Sequence, residues 1–247
     1  SGAYTDLDNA GRQLNSDITG LFTDKEYKWR ARVQYSLVNN PYQKYGPWKY
    51  YNNYIPTPLG NFRAYDPILV KQLNLSMLIQ GFYDANINEM VSDTVTVYLR
   101  SSSSPYVIVD SSNAKIFSSG QGTFLFSNAD NGINYYIHLK HRNSVETWSK
   151  STEQFSASSL TYDFTSNIHT AYGFNLIQAD NSPVRFAVYS GDINQDGNVN
   201  LTDVLIAYND ANTFVTGYVN SDVTGNNITD LSDVILAYNN SSGLVAV

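Results

Sequence analysis

The sequence predicts a mainly β protein: an antiparallel, immunoglobulin-like β-sandwich, preceded by an extended N-terminal arm and followed by a small unit of two loop-helix repeats. Three observations support this prediction. Short segments of alternating apolar and polar residues recur between residues 71 and 189, separated by Ser-, Asn- and Gly-rich turns. A segment rich in Asp and Asn is duplicated near the C-terminus, and Tyr and Pro crowd the first 70 residues. We therefore divide the chain into residues 1–70, 71–189 and 190–247.

Composition limits the class of protein. The 247 residues are 42% hydrophobic, which is enough for a packed core. The net charge of −7 arises in residues 191–247, which hold seven Asp and no Lys, Arg or Glu. The sequence has no basic segment that would indicate nucleic-acid binding. It also has no apolar run of the roughly 20 residues that span a membrane. Cysteine is absent, which excludes disulfides and thiolate zinc sites. No signal peptide is visible, so we expect a mature, processed product.

The opening segment is rich in aromatic residues and proline. Residues 26–38 alternate in a way that predicts a strand, whereas the prolines at residues 41–58 oppose helix and central strand alike. Two interpretations remain open: these aromatic side chains fill the edge of the next domain's core, or they form an arm that docks on a neighbouring subunit. The candidate interface residues are Tyr42, Tyr45, Trp48, Tyr50, Tyr51 and Tyr54.

The central segment carries the strand patterns. Alternation predicts strands at residues 73–82, 94–100, 123–126, 135–139 and 184–189. Turn-forming residues separate them, for instance in the run Ser101–Ser104 and around Gly132. No linker follows residue 189, so we expect the C-terminal unit to pack against the sandwich as one rigid body.

The most informative segment begins at Asp192 and places oxygen-bearing residues at the spacing of a calcium loop. Ca²⁺ takes six to eight oxygen ligands, and a loop of this pattern supplies most of them from one short stretch, with a glycine, here Gly197, at the sharp turn of position 6. The candidate ligands at positions 1, 3, 5, 7, 9 and 12 are Asp192, Asn194, Asp196, the Asn198 carbonyl, Asn200 and Asp203.

A second loop of the same kind begins at Asp222, and the apolar segment after each loop is repeated as well. Its candidate ligands are Asp222, Thr224, Asn226, the Ile228 carbonyl, Asp230 and Asp233. Asn227 stands at position 6, where Asn tolerates the left-handed conformation. We therefore expect two Ca²⁺ sites. The first should bind more strongly, because Thr is a poorer ligand than Asp or Asn. The alternative is that either loop is a solvated Asn/Asp turn that binds no metal.

Two loop-helix units of this size, each ending in Asp at position 12, resemble the dockerin family of secreted bacterial modules. The resemblance covers about the last 55 residues. It implies that each loop binds one Ca²⁺ and that the paired helices present a surface to a partner protein. Leu201-Thr202 and Leu231-Ser232 stand where the family often carries Ser-Thr as recognition residues, so ordinary cohesin binding is not implied. The preceding strand order also resembles the β-modules that precede such repeats in some secreted bacterial surface proteins.

The sequence offers no recognisable catalytic arrangement. His138 and His141 are expected to point to opposite faces of a strand, which makes them a poor metal pair and favours structural or surface roles. The four Glu residues lack a paired acid/base context, and no nucleophile elbow, phosphate loop or zinc-protease pattern is present. We expect a protein that is not an enzyme.

These observations together predict a non-catalytic, calcium-stabilised structural protein that is secreted or held at the cell surface. Its expected partner is itself, in a head-to-tail homopolymer such as a fibril or surface layer. Asn74, Asn239 and Asn240 fit the N-glycosylation pattern, so glycans, covalently attached or bound, are further expected partners. Two alternatives stay open: a dockerin-type adaptor that binds a separate scaffold, and a carbohydrate-binding module that uses the tyrosines of residues 42–54.

Overall fold

The computed structural model describes residues 70–243, 245 and 246, together with short pieces between residues 26 and 63. The chain forms two compact units, Ser1–Asp66 and Pro67–Val247. Among the described residues, no helix is long and apolar enough to cross a membrane.

The few described residues of the first unit include two antiparallel strand pairs. Strand β1 (Glu26–Tyr27) pairs with β4 (Phe62–Arg63), and β2 (Arg30–Ala31) pairs with β3 (Lys49–Tyr50). Within the strand predicted over residues 26–38, residues 26–27 and 30–31 are in strands, and the others lie outside the described residues. Of the candidate interface residues, Tyr45 is half-buried in an isolated bridge and Tyr50 lies in β3. The others, Tyr42, Trp48, Tyr51 and Tyr54, lie outside the described residues.

The described residues of the second unit form twelve strands, three short 3₁₀ turns and two helices. In chain order the strands are β5 (Lys71–Ser76), β6 (Tyr83–Asp84), β7 (Glu89–Met90), β8 (Asp93–Ser101), β9 (Ile108–Ile116), β10 (Gln121–Phe126), β11 (Asn134–Lys140), β12 (Thr147–Trp148), β13 (Glu153–Gln154), β14 (Ser159–Asp163), β15 (Ile177–Asn181) and β16 (Val184–Ala187). The helices are α1 (Leu201–Asn212) and α2 (Leu231–Ser242).

Two sheets form the sandwich. One has the strand order β10-β5-β14, and the other has the order β12-β11-β8-β9, with β13 also paired to β11. All pairings in both sheets are antiparallel except that of β14 with β5, which is parallel. The remaining strands form the hairpins β6-β7 and β15-β16.

The core of the sandwich lies between the two sheets, because every second residue of the central strands points inward. Leu73 and Leu75 of β5 and Phe124 of β10 are buried from one sheet, and Val97 of β8 and Ile137 of β11 from the other, all in one apolar cluster. The alternation that predicted these strands is therefore the alternation that fills the core. The predicted fold class, mainly β with antiparallel sheets and a C-terminal pair of short helices, is confirmed.

Strand β9 was not predicted from the sequence. Its middle residues, from Asp110 to Asn113, are polar, and they hide the period of two. The strand forms because β8 offers it main-chain partners along most of its length, with Val95 opposite Ala114 and Thr94 opposite Lys115.

Both helices start in the same way. Asn200 caps α1 and Asp230 caps α2, each by accepting the N–H two residues later, and the third helical residue of each completes a capping box. The helices bury a small second core of Ile193, Ala207 and Val223.

The helical unit lies directly against the sandwich. A Cβ added to Gly81, in the 3₁₀ turn after β5, would lie only 2.1 Å from the carbonyl oxygen of Val223. The side-chain Nδ2 of Asn240, near the end of α2, donates to Gln80 Oε1 at 2.7 Å and to the carbonyl of Ser190 at 2.6 Å. Close backbone approach and buried hydrogen bonds both hold the two parts together.

Candidate metal centre and its junction with the sandwich

The first candidate loop folds around Asp192, which is fully buried. Its carboxylate accepts the N–H groups of Asp196 and Gly197, each at 3.1 Å. Gly197 has a φ of 89°, in the left-handed region, and provides the sharp turn expected at position 6. The loop therefore closes back on its own first residue.

Asp203 holds the loop from its other end. It lies in the first turn of α1 and is fully buried. Its Oδ1 accepts the N–H groups of Ile193 and Asn194 at 2.8 and 3.1 Å, and its Oδ2 accepts the N–H of Asn200 at 3.0 Å. The carboxylate of the capping box thus also positions the start of the loop.

The other candidate ligands of this loop face solvent. Asn194, Asp196 and Asn198 are exposed, and Asn200 is half-buried. Asn194 Nδ2 and the Asn198 N–H both donate to the Asp196 carboxylate at 3.0 Å. Positions 3, 5 and 7 are therefore in mutual contact and open to an ion from solution.

Negative charge is concentrated in this loop. Burial raises the pKa of Asp192 to about 6, and the nearby carboxylates of Asp203 and Asp196 act in the same direction. Within residues 70–243, neither Asp192 nor Asp203 forms an ion pair with a basic side chain. A buried carboxylate without a counter-charge is costly because its ionised form loses hydration. A bound cation would remove that cost.

The donor set fits calcium. Every candidate ligand offers oxygen, and Ca²⁺ accepts carboxylates, side-chain amides and main-chain carbonyls in one flexible shell. In the described part of the chain no three Asp, Glu, His or Cys side chains converge on one point. Amide and main-chain oxygens would therefore have to complete the shell, which suits a hard cation and does not suit zinc.

The second candidate loop repeats the hydrogen bonds of the first. Asp222 accepts the N–H groups of Asn226 and Asn227, each at 3.1 Å. Asp233 accepts the N–H of Thr224 at 2.9 Å and that of Asp230 at 2.8 Å. Asn227 has a φ of 69° and thus takes the left-handed conformation expected of it at position 6. Asp222 and Asp233 are both buried, like their counterparts.

The two loops differ at position 3. Thr224 donates its hydroxyl to Asp233 Oδ1 at 2.9 Å, whereas Asn194 in the first loop directs its amide to Asp196. Burial raises the pKa of Asp233, with a smaller contribution in the same direction from the charge of Asp222. The second loop therefore collects buried carboxylates as the first does, but it offers a weaker oxygen ligand.

Each loop is braced by the segment that follows the opposite helix. In the first loop the N–H of Val199 donates to the carbonyl of Val245 at 2.9 Å. In the second the N–H of Thr229 donates to the carbonyl of Val215 at 2.8 Å. The two repeats are therefore interlocked, and neither loop is held by its own helix alone.

A single turn of the sandwich contacts both loops. We call residues 141–144, which follow β11, the junction turn. Asn143 Nδ2 donates to the carbonyl of Asp222 at 2.7 Å, and Gln195 Nε2 donates to the carbonyl of Ser144 at 3.3 Å. Both candidate sites are thus anchored to the same stretch of the sandwich.

In the junction turn, Ser144 and His141 form a hydrogen-bonded series with Asp93, which lies at the start of β8. His141 Nδ1 lies 3.0 Å from Ser144 Oγ, and His141 Nε2 lies 3.1 Å from Asp93 Oδ2. Ser144 is 1% exposed and His141 is 3% exposed, so no substrate reaches the hydroxyl. The arrangement resembles a catalytic triad in its residue types but fills the interior and supports packing.

The second histidine of the predicted pair also has a structural position. His138 is buried in β11, where its ring stacks on Trp148 with centroids 4.8 Å apart and on Tyr98 with centroids 5.2 Å apart. Its Nε2 lies 3.0 Å from Glu146 Oε2. Both histidines therefore occupy packed interior positions. His141 follows the end of β11, so the expectation that the two point to opposite faces of one strand is wrong.

Comparison with known proteins adds a distant structural likeness. No protein-family model matches the chain, and no curated protein matches it. Among solved structures that match are two crystal structures of type II cohesin–X–dockerin complexes from Acetivibrio cellulolyticus, a C-terminal and an N-terminal interface mutant. The first aligns with a TM-score of 0.42 at 15% identity and covers 69% of this chain and 94% of that chain. The second aligns with a TM-score of 0.38 at 16% identity and covers 69% and 92%. Likeness at this level carries no argument about function.

The residues of the junction turn were missed by the sequence reasoning. Arg142 and Asn143 meet the second loop across a sequence separation of nearly 80 residues, which no local pattern reveals. The available signal was the run of polar residues His141-Arg142-Asn143-Ser144 directly after an apolar strand. Such a run reads equally well as an ordinary exposed turn.

Proposed function

We propose that this chain is a non-catalytic, calcium-stabilised assembly protein that works outside the cell and docks on a protein partner through its two helices. The observation that supports this proposal is a duplicated, exposed apolar face. Leu201, Leu205 and Tyr208 of α1 are 67%, 51% and 57% exposed. The matching residues of α2, Leu231, Ile235 and Tyr238, are 68%, 50% and 59% exposed.

The spacing of these residues places them on one side of each helix. Residues four and seven positions apart are neighbours on a helix surface, so each helix carries a continuous apolar stripe. The opposite side, with Ala207 and Ala237 fully buried, faces the small second core. Contiguous apolar surface left open on a folded protein is typical of an interaction site.

Calcium has a structural role in this proposal. The residues that would hold it are the buried aspartates and surface amides of each loop, together with the main-chain carbonyls of Asn198 and Ile228. A bound Ca²⁺ would supply the positive charge that Asp192 and Asp203 of the first loop lack. The chain itself contributes the capping boxes, which tie the last ligand of each loop to the first turn of a docking helix. Loss of the ion would therefore loosen the start of both helices.

The proposed extracellular location is supported by the same sites. Calcium loops would be readily filled outside the cell, where the ion is millimolar. The complete lack of cysteine is compatible with any redox compartment.

Two partners are open to test. The sequence predicts a second copy of the chain, joined head to tail through residues 1–70 in a fibril or surface layer. The alternative is a separate scaffold protein, for which the helix faces offer the docking surface. The carbohydrate-binding alternative placed its aromatic platform at residues 42–54, most of which lie outside the described residues, and it stays a prediction.

The docking proposal is tested with the full chain and a variant that carries Leu205→Asp and Ile235→Asp. Sedimentation velocity follows association between copies, and an overlay of the labelled chain on secreted proteins of the source cell follows association with other proteins, each with Ca²⁺ and with EDTA. We expect association to be lost in EDTA and in the Asp variant.

A matched control carries Leu205→Met and Ile235→Val, which keep the two positions apolar, and should associate like the natural chain. Association that survives in the Asp variant would refute the helix face as the docking surface. Absence of calcium-dependent association in both assays would refute the assembly function itself.

A further inference from the structure

Arg142 connects the sandwich to the second candidate loop. Its Nε lies 3.0 Å from Asp93 Oδ2 in the sandwich, and its NH2 lies 3.5 Å from Asp222 Oδ2 at position 1 of the loop. Its NH1 donates to the carbonyl of Val219, just before the loop. One guanidinium group thus bridges two carboxylates and a main-chain carbonyl from different parts of the fold.

The guanidinium group is fixed in this position. It lies over the ring of Tyr218 at 4.5 Å and over the ring of Phe82 at 5.3 Å. Tyr218 donates its hydroxyl to Asp93 Oδ1 at 2.7 Å, which completes a closed set of contacts around the arginine. The Arg142 side chain is only 10% exposed. Its charge therefore cannot move away into solvent when an ion enters the loop.

This charge distinguishes the two loops. The first loop holds Asp192, Asp196 and Asp203, and its side-chain contact with the junction turn comes from the neutral Gln195. The second loop also holds three aspartates, but its first ligand, Asp222, has a permanent cation beside it. Among the described residues, only the second loop has such a basic contact.

We propose that Arg142 sets the calcium affinity of the second loop. Its fixed positive charge offsets part of the negative charge of Asp222 and repels an incoming divalent ion. The weakness of the second site thereby comes from the sandwich as well as from Thr224. This inference rests on the proposed calcium binding, and it adds that the docked sandwich regulates one of the two sites.

Asp93 moderates this effect. Although burial acts to raise the pKa of Asp93, hydrogen bonds from His141 and Tyr218 hold that pKa well below its usual range. Asp93 therefore stays ionised and neutralises part of the Arg142 charge. Removal of Arg142 and removal of the Asp93 charge should shift the affinity of the second loop in opposite directions. General loss of stability would not produce opposite shifts.

The test is a calorimetric titration of Ca²⁺ into the metal-free full chain, in which binding to the first loop reports on the proposed function independently. The second loop is isolated in chains that also carry Asp192→Asn. Arg142→Gln should tighten binding at the second loop about tenfold, because a charge close to a ligand carboxylate has been removed. Asp93→Asn should weaken it about tenfold, because the Arg142 charge is no longer offset.

Lys140→Gln is the matched control. It removes a cation of the same sheet that is paired with Glu146, and it should leave the second loop within about twofold of the natural chain because the Lys140 charge is partly exposed and screened. Melting curves in EDTA show which variants fold. A second-loop affinity that is unchanged or weaker in folded Arg142→Gln overturns the inference. If that variant does not fold, an unchanged affinity in Asp93→Asn overturns it. Absence of calcium binding to the natural chain overturns the proposed function and this inference together.

Discussion

Replacement of Asp192 by Asn should affect stability very differently in calcium and in EDTA. The substitution preserves the size of the side chain and removes one charge from the first loop. In calcium it removes a first-position ligand. Binding of an ion at a hundredfold excess over its Kd stabilises the folded state by about 2.7 kcal/mol, and this increment should disappear.

In EDTA two effects of the same substitution oppose each other. The rise of the Asp192 pKa from 3.8 to about 6 corresponds to about 3 kcal/mol of unfavourable free energy for the ionised group near neutral pH. The Asn side chain relieves this cost, but it has one acceptor oxygen where the carboxylate offered two to Asp196 and Gly197. Loss of one buried acceptor costs about 1–3 kcal/mol. We therefore expect the variant to be about as stable as the natural chain in EDTA.

The assay is chemical unfolding at pH 7.5 with Ca²⁺ and with EDTA. Asp130→Asn is the control, because Asp130 is exposed in a turn of the sandwich and the charge change is the same. An equal loss of stability in both conditions would show that Asp192 serves only as a hydrogen-bond acceptor, and the reasoning about a cation would be refuted.

Three further predictions follow from the same structure. Asp222→Asn should reduce the calcium-dependent increment less than Asp192→Asn does, since we expect the second loop to bind Ca²⁺ more weakly. The opposite ranking in melting temperatures would contradict this. Deletion of residues 1–60 should leave the sandwich folded and abolish polymerisation. Unchanged filaments in electron microscopy would contradict the hypothesis that the N-terminal arm joins neighbouring subunits. The pKa of Glu146 is lowered from 4.5 to about 2, chiefly by its hydrogen bond with His138, against the opposing effect of burial. A carboxyl pKa that is lower in the folded state stabilises the fold at pH values above the unfolded-state pKa of 4.5. This stabilisation is lost as the pH falls from 4.5 towards 2, so the stability of Glu146→Gln should depend less on pH in that window. An acid-unfolding curve identical to that of the natural chain would show that the contact contributes nothing.

Four of the five strands that the sequence predicts, β5, β8, β10 and β11, have an alternation that fills the core. In β8, for example, Val95, Val97 and Leu99 point inward and are fully buried. Strand β14 was not predicted, and it begins at Ser159, the last residue of a Ser-rich run. Its position depends on parallel pairing with β5, whose partner residues lie more than 80 positions earlier. Pairing of this kind is a property of the folded chain and leaves no local pattern.

In the candidate sites, too, local features could be predicted from the sequence and long-range contacts could not. The ligands within each loop are close in sequence, so spacing alone brings Asp192 and Asp203 into one loop. The Arg142 contact with Asp222, by contrast, depends on how the sandwich meets the helical unit. The exposure of Leu205 and Tyr208 could not be predicted from the sequence either, because an apolar residue of a helix can equally well lie on a buried face.

A crystal structure grown in calcium tests the central claim most directly. We predict one ion in the first loop, within 2.3–2.6 Å of six to eight oxygens, including those of Asp192, Asp196 and Asp203. A well-ordered loop with only water or empty space between these side chains would contradict the account.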